Sequence, residues 1–117
     1  MTQILSGICS QGIMVATDSM ATRFAEDGEE HYFPVDKLFS VGSHAFIVSG
    51  GMGISVELSE RFKQYAEERA LVGVEAIIGA AGAYLSDQYR EALGKIDQAK
   101  IRQDQLDRIY FLVGGYS

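Results

Sequence analysis

The chain has 117 residues, 47% of them hydrophobic, and a formal net charge of −6, which suits a single domain with a buried core. The acidic balance and the absence of a Lys/Arg run argue against a nucleic-acid partner, because phosphate binding needs clustered positive charge. Apolar runs fall short of the roughly 18 residues of a membrane helix, and the N-terminus lacks the form of a signal peptide, so we expect a cytoplasmic protein without a membrane partner.

The N-terminal part is predicted to form a β-hairpin. Its strands run from Gln3 to Cys9 and from Ile13 to Thr17, and both are rich in β-branched and apolar residues. The stretch from Ala21 to Pro34 is polar, charged and closed by the single proline, which predicts an irregular excursion outside the core. Within it, residues 26–30 are interpreted as a solvated acidic turn.

A second hairpin is predicted from Leu38 to Val41 and from Ala45 to Ser49, with a turn at 42–44 and a glycine pair, Gly50-Gly51, at its end. The hydrophobic period then changes from two to between three and four, which predicts helices. The first helix carries its apolar face on Ile54, Leu58, Phe62 and Tyr65. The second runs from Val74 to about Leu93, with Ile77, Ala81, Tyr84 and Leu85 on one side.

After a polar stretch that continues to Asp107 as helix or loop, a last short strand is predicted from Ile109 to Val113. The order of four strands, two helices and one strand predicts an α+β layered fold.

Four residues stand out as candidates for chemistry: Thr2 near the start, Asp18 at the end of a strand, Lys37 before a strand, and Gly51 after a strand. Each alone is a weak signal, because surface Asp and Lys are usually only solvated and a glycine pair usually makes a turn. Their order and spacing together carry the prediction.

Several strings of the chain, in this order, resemble motifs of the proteasome β-type, HslV-like N-terminal-nucleophile hydrolases. They are Thr2 at the first strand, residues 12–19 (GIMVATDS) followed by Ala21-Thr22, residues 36–39 (DKLF), residues 47–53 (IVSGGMG) and residues 110–116 (YFLVGGY). The resemblance spans the whole chain and implies the first half of an αββα sandwich, with two β-hairpins, two helices and one further strand. It also implies that the family's domain continues beyond Ser117, so residues 1–117 are expected to be one incomplete domain.

The resemblance implies a role for each candidate. Thr2 would be the nucleophile once Met1 is removed, with its own α-amine as base, because a hydroxyl needs a nearby proton acceptor. Lys37 would stabilise the alkoxide, Asp18 would hold Lys37 charged, and the Gly51 amide would donate to the oxyanion. No metal or organic cofactor enters this scheme.

The resemblance further implies that Ala21, Ser49 and Gly53 line the pocket for the substrate side chain. The implied activity is that of a threonine-type endopeptidase acting on unfolded polypeptide inside a homo-oligomeric ring, served by an ATP-dependent unfoldase. Met20 departs from the family pattern, in which a basic residue is common at this place.

The sequence leaves other functional interpretations open. The chain could be an inactive structural or assembly subunit, or a truncated fragment, because the family's supporting Ser and Asp residues lie in the second half of the domain. The fold could also serve amide hydrolysis on a small molecule. A thiol nucleophile, Cys9, paired with His31 or His44 is disfavoured, because Cys9 lies within a predicted strand and His44 within a turn.

Overall fold

The computed structural model describes residues 3–10, 12–24, 30–51, 53–95 and 109–116. Nine elements follow one another along these residues. They are β1 (Ile4–Cys9), β2 (Gly12–Thr17), β3 (Met20–Phe24), β4 (Glu30–Pro34), β5 (Leu38–Val41), β6 (Ala45–Gly50), α1 (Ile54–Glu68), α2 (Val74–Gly94) and β7 (Tyr110–Gly115).

The first predicted hairpin is confirmed. Strands β1 and β2 pair antiparallel, with Ile4 opposite Thr17 at one end and Cys9 opposite Gly12 at the other. Leu5, Ile8 and Met14 keep most of their surface exposed. The hairpin therefore presents apolar side chains to its surroundings.

The prediction of an irregular excursion between Ala21 and Pro34 is wrong. Strands β3 and β4 form an antiparallel hairpin there, in which Thr22 lies opposite Tyr32. β-branched and aromatic residues favour strands even in a charged stretch, and Pro34 occupies the last position of its strand, where proline is tolerated. The described part of the chain therefore has three hairpins rather than the two predicted. Most of the proposed acidic turn lies outside the described residues, which omit 25–29.

The core lies between a three-stranded sheet and the two helices. The sheet has the order β5-β6-β7 with antiparallel pairing throughout. One face of the sheet packs against the apolar stripes of α1 and α2, as the helical periodicity predicts. The buried members of this core are Val41, Ala45, Ile47, Leu58, Phe62, Ala66, Ile77, Ala81 and Leu85.

Helix α1 is fixed to the sheet edge by a lysine. The Lys63 ammonium donates to the Ser40 carbonyl oxygen at 2.7 Å and pairs with Glu67 at 2.6 Å. Ser40 belongs to β5, which is an edge strand of its sheet. A lysine that occupies an edge carbonyl reduces the risk of unwanted strand pairing there.

The protein is therefore of the mixed α+β class, and its described ranges contain three small antiparallel sheets and two helices. The predicted second hairpin, both helices and the last strand are confirmed to within a few residues at their ends. Neither described helix has the length and apolar character needed to cross a lipid bilayer. The polar stretch before the last strand, predicted as helix or loop, lies outside the described residues from 96 to 108.

Candidate functional site

A buried lysine and a carboxylate form the centre of the candidate site. Asp18 directly follows β2, and Lys37 directly precedes β5. Lys37 Nζ lies 2.9 Å from Asp18 Oδ2, and the side chains are 6% and 32% exposed, respectively. Burying an ammonium is costly unless a counter-charge accompanies it, so the pair explains how Lys37 can lie within the fold.

The same carboxylate also binds the start of β1. The Gln3 backbone N–H donates to Asp18 Oδ1 at 3.0 Å, and the Asp18 N–H donates to the Gln3 carbonyl oxygen at 3.3 Å. Both carboxylate oxygens are therefore engaged, one by a main-chain amide and the other by an ammonium. Gln3 is the residue joined to Thr2 by a peptide bond.

Lys37 is also held through its backbone. Its carbonyl oxygen accepts a hydrogen bond from the Ser49 N–H at 3.3 Å, which connects the site to β6. Gly51 follows the end of that strand with φ of 100°, a conformation that favours glycine. Three parts of the chain, the start of β1, the end of β2 and the start of β5, thus meet at Asp18 and Lys37, and β6 lies beside them.

An open cavity of about 340 Å³ borders the pair. Its lining combines three ionisable side chains with small polar and apolar ones: Ala16, Thr17, Asp18, Ser19, Asp36, Lys37 and Leu38. A cleft in this position can admit a substrate group next to the Lys37 ammonium. Because the lysine side chain is buried, water screens its positive charge less than it would at the surface.

The remaining predicted residues are not among those that line this cavity. Ser49 is fully buried, on the face of β6 that packs against the helices, and it does not line the cavity. Gly53 is the residue before the first turn of α1, and Ala21 lies in β3 opposite Phe33. Thr2 lies outside the described residues.

Two features of the site were missed by reasoning from the sequence. The Gln3 contact uses only a backbone amide, so no side-chain signal marks it. Asp36 and Ser19 line the cavity as immediate chain neighbours of Lys37 and Asp18, which is the one clue that could have suggested them.

The described residues contain no group of three or more His, Cys, Asp or Glu side chains placed to hold a metal ion. The chemistry that this part of the chain offers is that of a fixed positive charge beside a cleft. Such a charge stabilises an oxyanion or an alkoxide that forms close to it.

Comparisons of the chain with protein-family models, with curated proteins and with solved structures find no match.

Proposed function

We propose that the chain is a threonine-type endopeptidase subunit of the proteasome β type, with Thr2 as nucleophile after removal of Met1. The observation that carries the proposal is the shared carboxylate of Asp18. One of its oxygens binds the Lys37 ammonium and the other binds the amide that joins Gln3 to Thr2. This contact supports the proposal that the Thr2 hydroxyl lies close to the Lys37 ammonium.

In the proposed reaction, every bond and proton is exchanged among Thr2, the substrate and water, so no cofactor is needed. The Thr2 α-amine, with an ordinary pKa near 8, takes the hydroxyl proton as the Oγ1–carbon bond forms at the substrate carbonyl. The proton then passes to the leaving amine as the carbon–nitrogen bond breaks, and water hydrolyses the resulting ester. Lys37 stabilises the alkoxide, and the Gly51 amide donates to the oxyanion.

The packing of the sheet supports the finer fold proposal, the first half of an αββα sandwich. The helices cover one face of the β5-β6-β7 sheet, while the opposite face carries Leu38, Phe46, Val48 and Leu112. Val48 is fully buried, and Leu112 is 39% exposed. An apolar second face is what a second sheet would cover in a layered fold.

The proposal extends to assembly and substrate. We propose a closed homo-oligomeric ring that admits unfolded polypeptide, supplied by an ATP-dependent unfoldase, with Ala21 and Gly53 in the specificity pocket. The burial of Ser49 against the helices removes it from the pocket residues that the sequence predicts. The exposed apolar residues of β1 and β2 support association with further polypeptide, because such surface is unfavourable in water. Native mass spectrometry tests the ring, and a species of one chain would contradict it.

The decisive experiment is labelling with a β-lactone, an electrophile that acylates a threonine hydroxyl. We expect the wild type to gain one adduct at Thr2, Thr2→Ser to be labelled as well, and Thr2→Ala to be unlabelled. Intact mass must first show that Met1 is absent, because the base is the free amine of Thr2. A folded, processed protein that gains no adduct would refute the enzyme and favour an assembly subunit.

Substrate choice separates the peptidase from a small-molecule amidase. We expect cleavage of fluorogenic peptides at rates well above those of simple acyl-amides. The opposite preference would keep the nucleophile and reject the peptidase.

A further inference from the structure

We infer that Asp18 is a positioning residue that fixes the start of β1 against the Lys37 ammonium, and that the Gln3 amide is the point at which it acts. The inference rests on the proposed function, because what it positions is the nucleophile proposed at Thr2. Asp18 would thus hold the start of β1 in place as well as stabilise the charged form of Lys37.

The geometry differs from an ordinary strand ladder. Ile4 and Thr17 are the last register partners of β1 and β2, so Gln3 and Asp18 are the next opposed pair. In an antiparallel ladder, a hydrogen-bonded pair exchanges two main-chain bonds. Here the Asp18 N–H donates to the Gln3 carbonyl oxygen, whereas the Gln3 N–H donates to the Asp18 side chain.

Because the acceptor is a carboxylate oxygen instead of a main-chain carbonyl oxygen, the start of β1 is bound to a charged group. A hydrogen bond from an amide to a carboxylate is stronger than one to a neutral carbonyl. The carboxylate is in turn held by Lys37, whose side chain is almost fully buried and whose carbonyl oxygen accepts a hydrogen bond from the Ser49 N–H. The peptide nitrogen of Gln3 is therefore located relative to a lysine that has little freedom to move.

We expect loss of this hydrogen bond to lower the rate of reaction at Thr2 more than it lowers the stability of the fold. A reacting group that is misplaced by about 1 Å can lose on the order of 100-fold in rate. The Gln3 nitrogen is the atom through which Thr2 is attached to the described chain. Among the described residues, loss of the bond to the Asp18 carboxylate would leave the Gln3 main chain bound to Asp18 through the Asp18 N–H.

A proline at position 3 tests this, because proline has no N–H to donate to the Asp18 carboxylate. Gln3→Ala is the matched control, since it removes the side chain and keeps the N–H. All chains are made as cleavable N-terminal fusions so that each begins at Thr2, as verified by intact mass. The readout is labelling of Thr2 by a β-lactone at increasing concentration.

We expect Gln3→Ala to be labelled within twofold of the wild-type rate. Gln3→Pro is expected to lose at least tenfold in the limiting rate at saturating lactone, with little change in the half-saturating concentration. A role in folding alone would lower the melting temperature of Gln3→Pro and leave the labelling rate of the folded protein unchanged.

The outcomes separate this inference from the proposed function. Equal limiting rates for Gln3→Ala and Gln3→Pro would refute the positioning role and leave the threonine enzyme intact. A folded wild type that gains no adduct would refute both. Hydrogen exchange adds a measurement that does not depend on the reaction at Thr2. We expect the Gln3 amide to be protected in the wild type, and rapid exchange there would refute the hydrogen bond from Gln3 to the Asp18 carboxylate.

Discussion

Lys37 and Asp18 form an ion pair at 2.9 Å across 19 positions of sequence, and the two residues flank the β3–β4 hairpin on either side. The Val35 N–H donates to the Ser19 carbonyl oxygen at 2.9 Å beside the pair. The base of this hairpin is thus closed by one ion pair and one main-chain bond. The Asp18–Lys37 ion pair is therefore both the centre of the candidate site and one of the contacts that hold the base of the β3–β4 hairpin.

Removing either partner of the pair should have unequal costs. Asp18→Asn leaves a deeply buried ammonium without its carboxylate, whereas Lys37→Met leaves a carboxylate that is one-third exposed to water. We expect the first change to lower the free energy of unfolding by about 2 kcal/mol and the second by about 1 kcal/mol. Urea unfolding monitored by circular dichroism measures both.

The double variant provides the control for this prediction. Because each single change also removes the contact, Asp18→Asn with Lys37→Met should cost less than the sum of the two by on the order of 1 kcal/mol. Additive costs would mean that the two charges do not stabilise one another.

Periodicity and turn chemistry were enough to predict most of the fold, since β1–β2, β5–β6 and both helices have clear patterns in the sequence. The β3–β4 hairpin was missed because its charged residues outweighed the strand preference of Thr22 and Tyr32. The approach of Asp18 to Lys37 was expected from a resemblance and could not be obtained from spacing alone. The Gln3 contact could not be predicted at all, because it is made by backbone that any residue would supply.

Two glycines in different settings should respond oppositely to alanine. A Cβ at Gly115 would overlap the His44 carbonyl oxygen and lie 2.8 Å from the Ala45 Cα, both of them backbone atoms. A Cβ at Gly82, within α2, would meet nothing within 4 Å. We expect Gly115→Ala to destabilise the protein by about 2 to 3 kcal/mol and Gly82→Ala to stabilise it by about 1 kcal/mol. Thermal unfolding of the two variants decides it, and a stabilising Gly115→Ala would show that β7 lies elsewhere.

Ser59 offers a stabilising substitution in the core. It lies in α1, is fully buried, and its hydroxyl has no hydrogen-bond partner among the described residues. A buried hydroxyl without a partner costs about 1 to 3 kcal/mol, and alanine is also the better helix former. We expect Ser59→Ala to raise the free energy of unfolding by about 1 kcal/mol. The exposed Ser86→Ala in α2 is the control and should gain only the helix-propensity part, about 0.5 kcal/mol. A loss of stability in Ser59→Ala would reveal a partner for this hydroxyl.

Tyr84 should make stability fall at alkaline pH. Burial raises the pKa of its phenol above the usual value near 10, with Tyr65 and Glu68 adding to the rise and Arg61 opposing it. The hydroxyl donates to the Arg61 carbonyl oxygen at 3.4 Å, and the ring stacks on Tyr65 at 4.3 Å.

The sign of the pH dependence follows from which state keeps the proton. Because its pKa is raised on folding, Tyr84 holds its proton more strongly in the folded protein than in the unfolded chain, so the free energy of unfolding declines as pH rises through and above the usual tyrosine range. Tyr84→Phe cannot ionise, and we expect it to show a shallower decline between pH 9.5 and 11, read from urea midpoints. Tyr116→Phe, which removes an exposed phenol, is the matched control. If the decline in Tyr84→Phe equals that in the wild type, the Tyr84 phenol is not the group responsible for it.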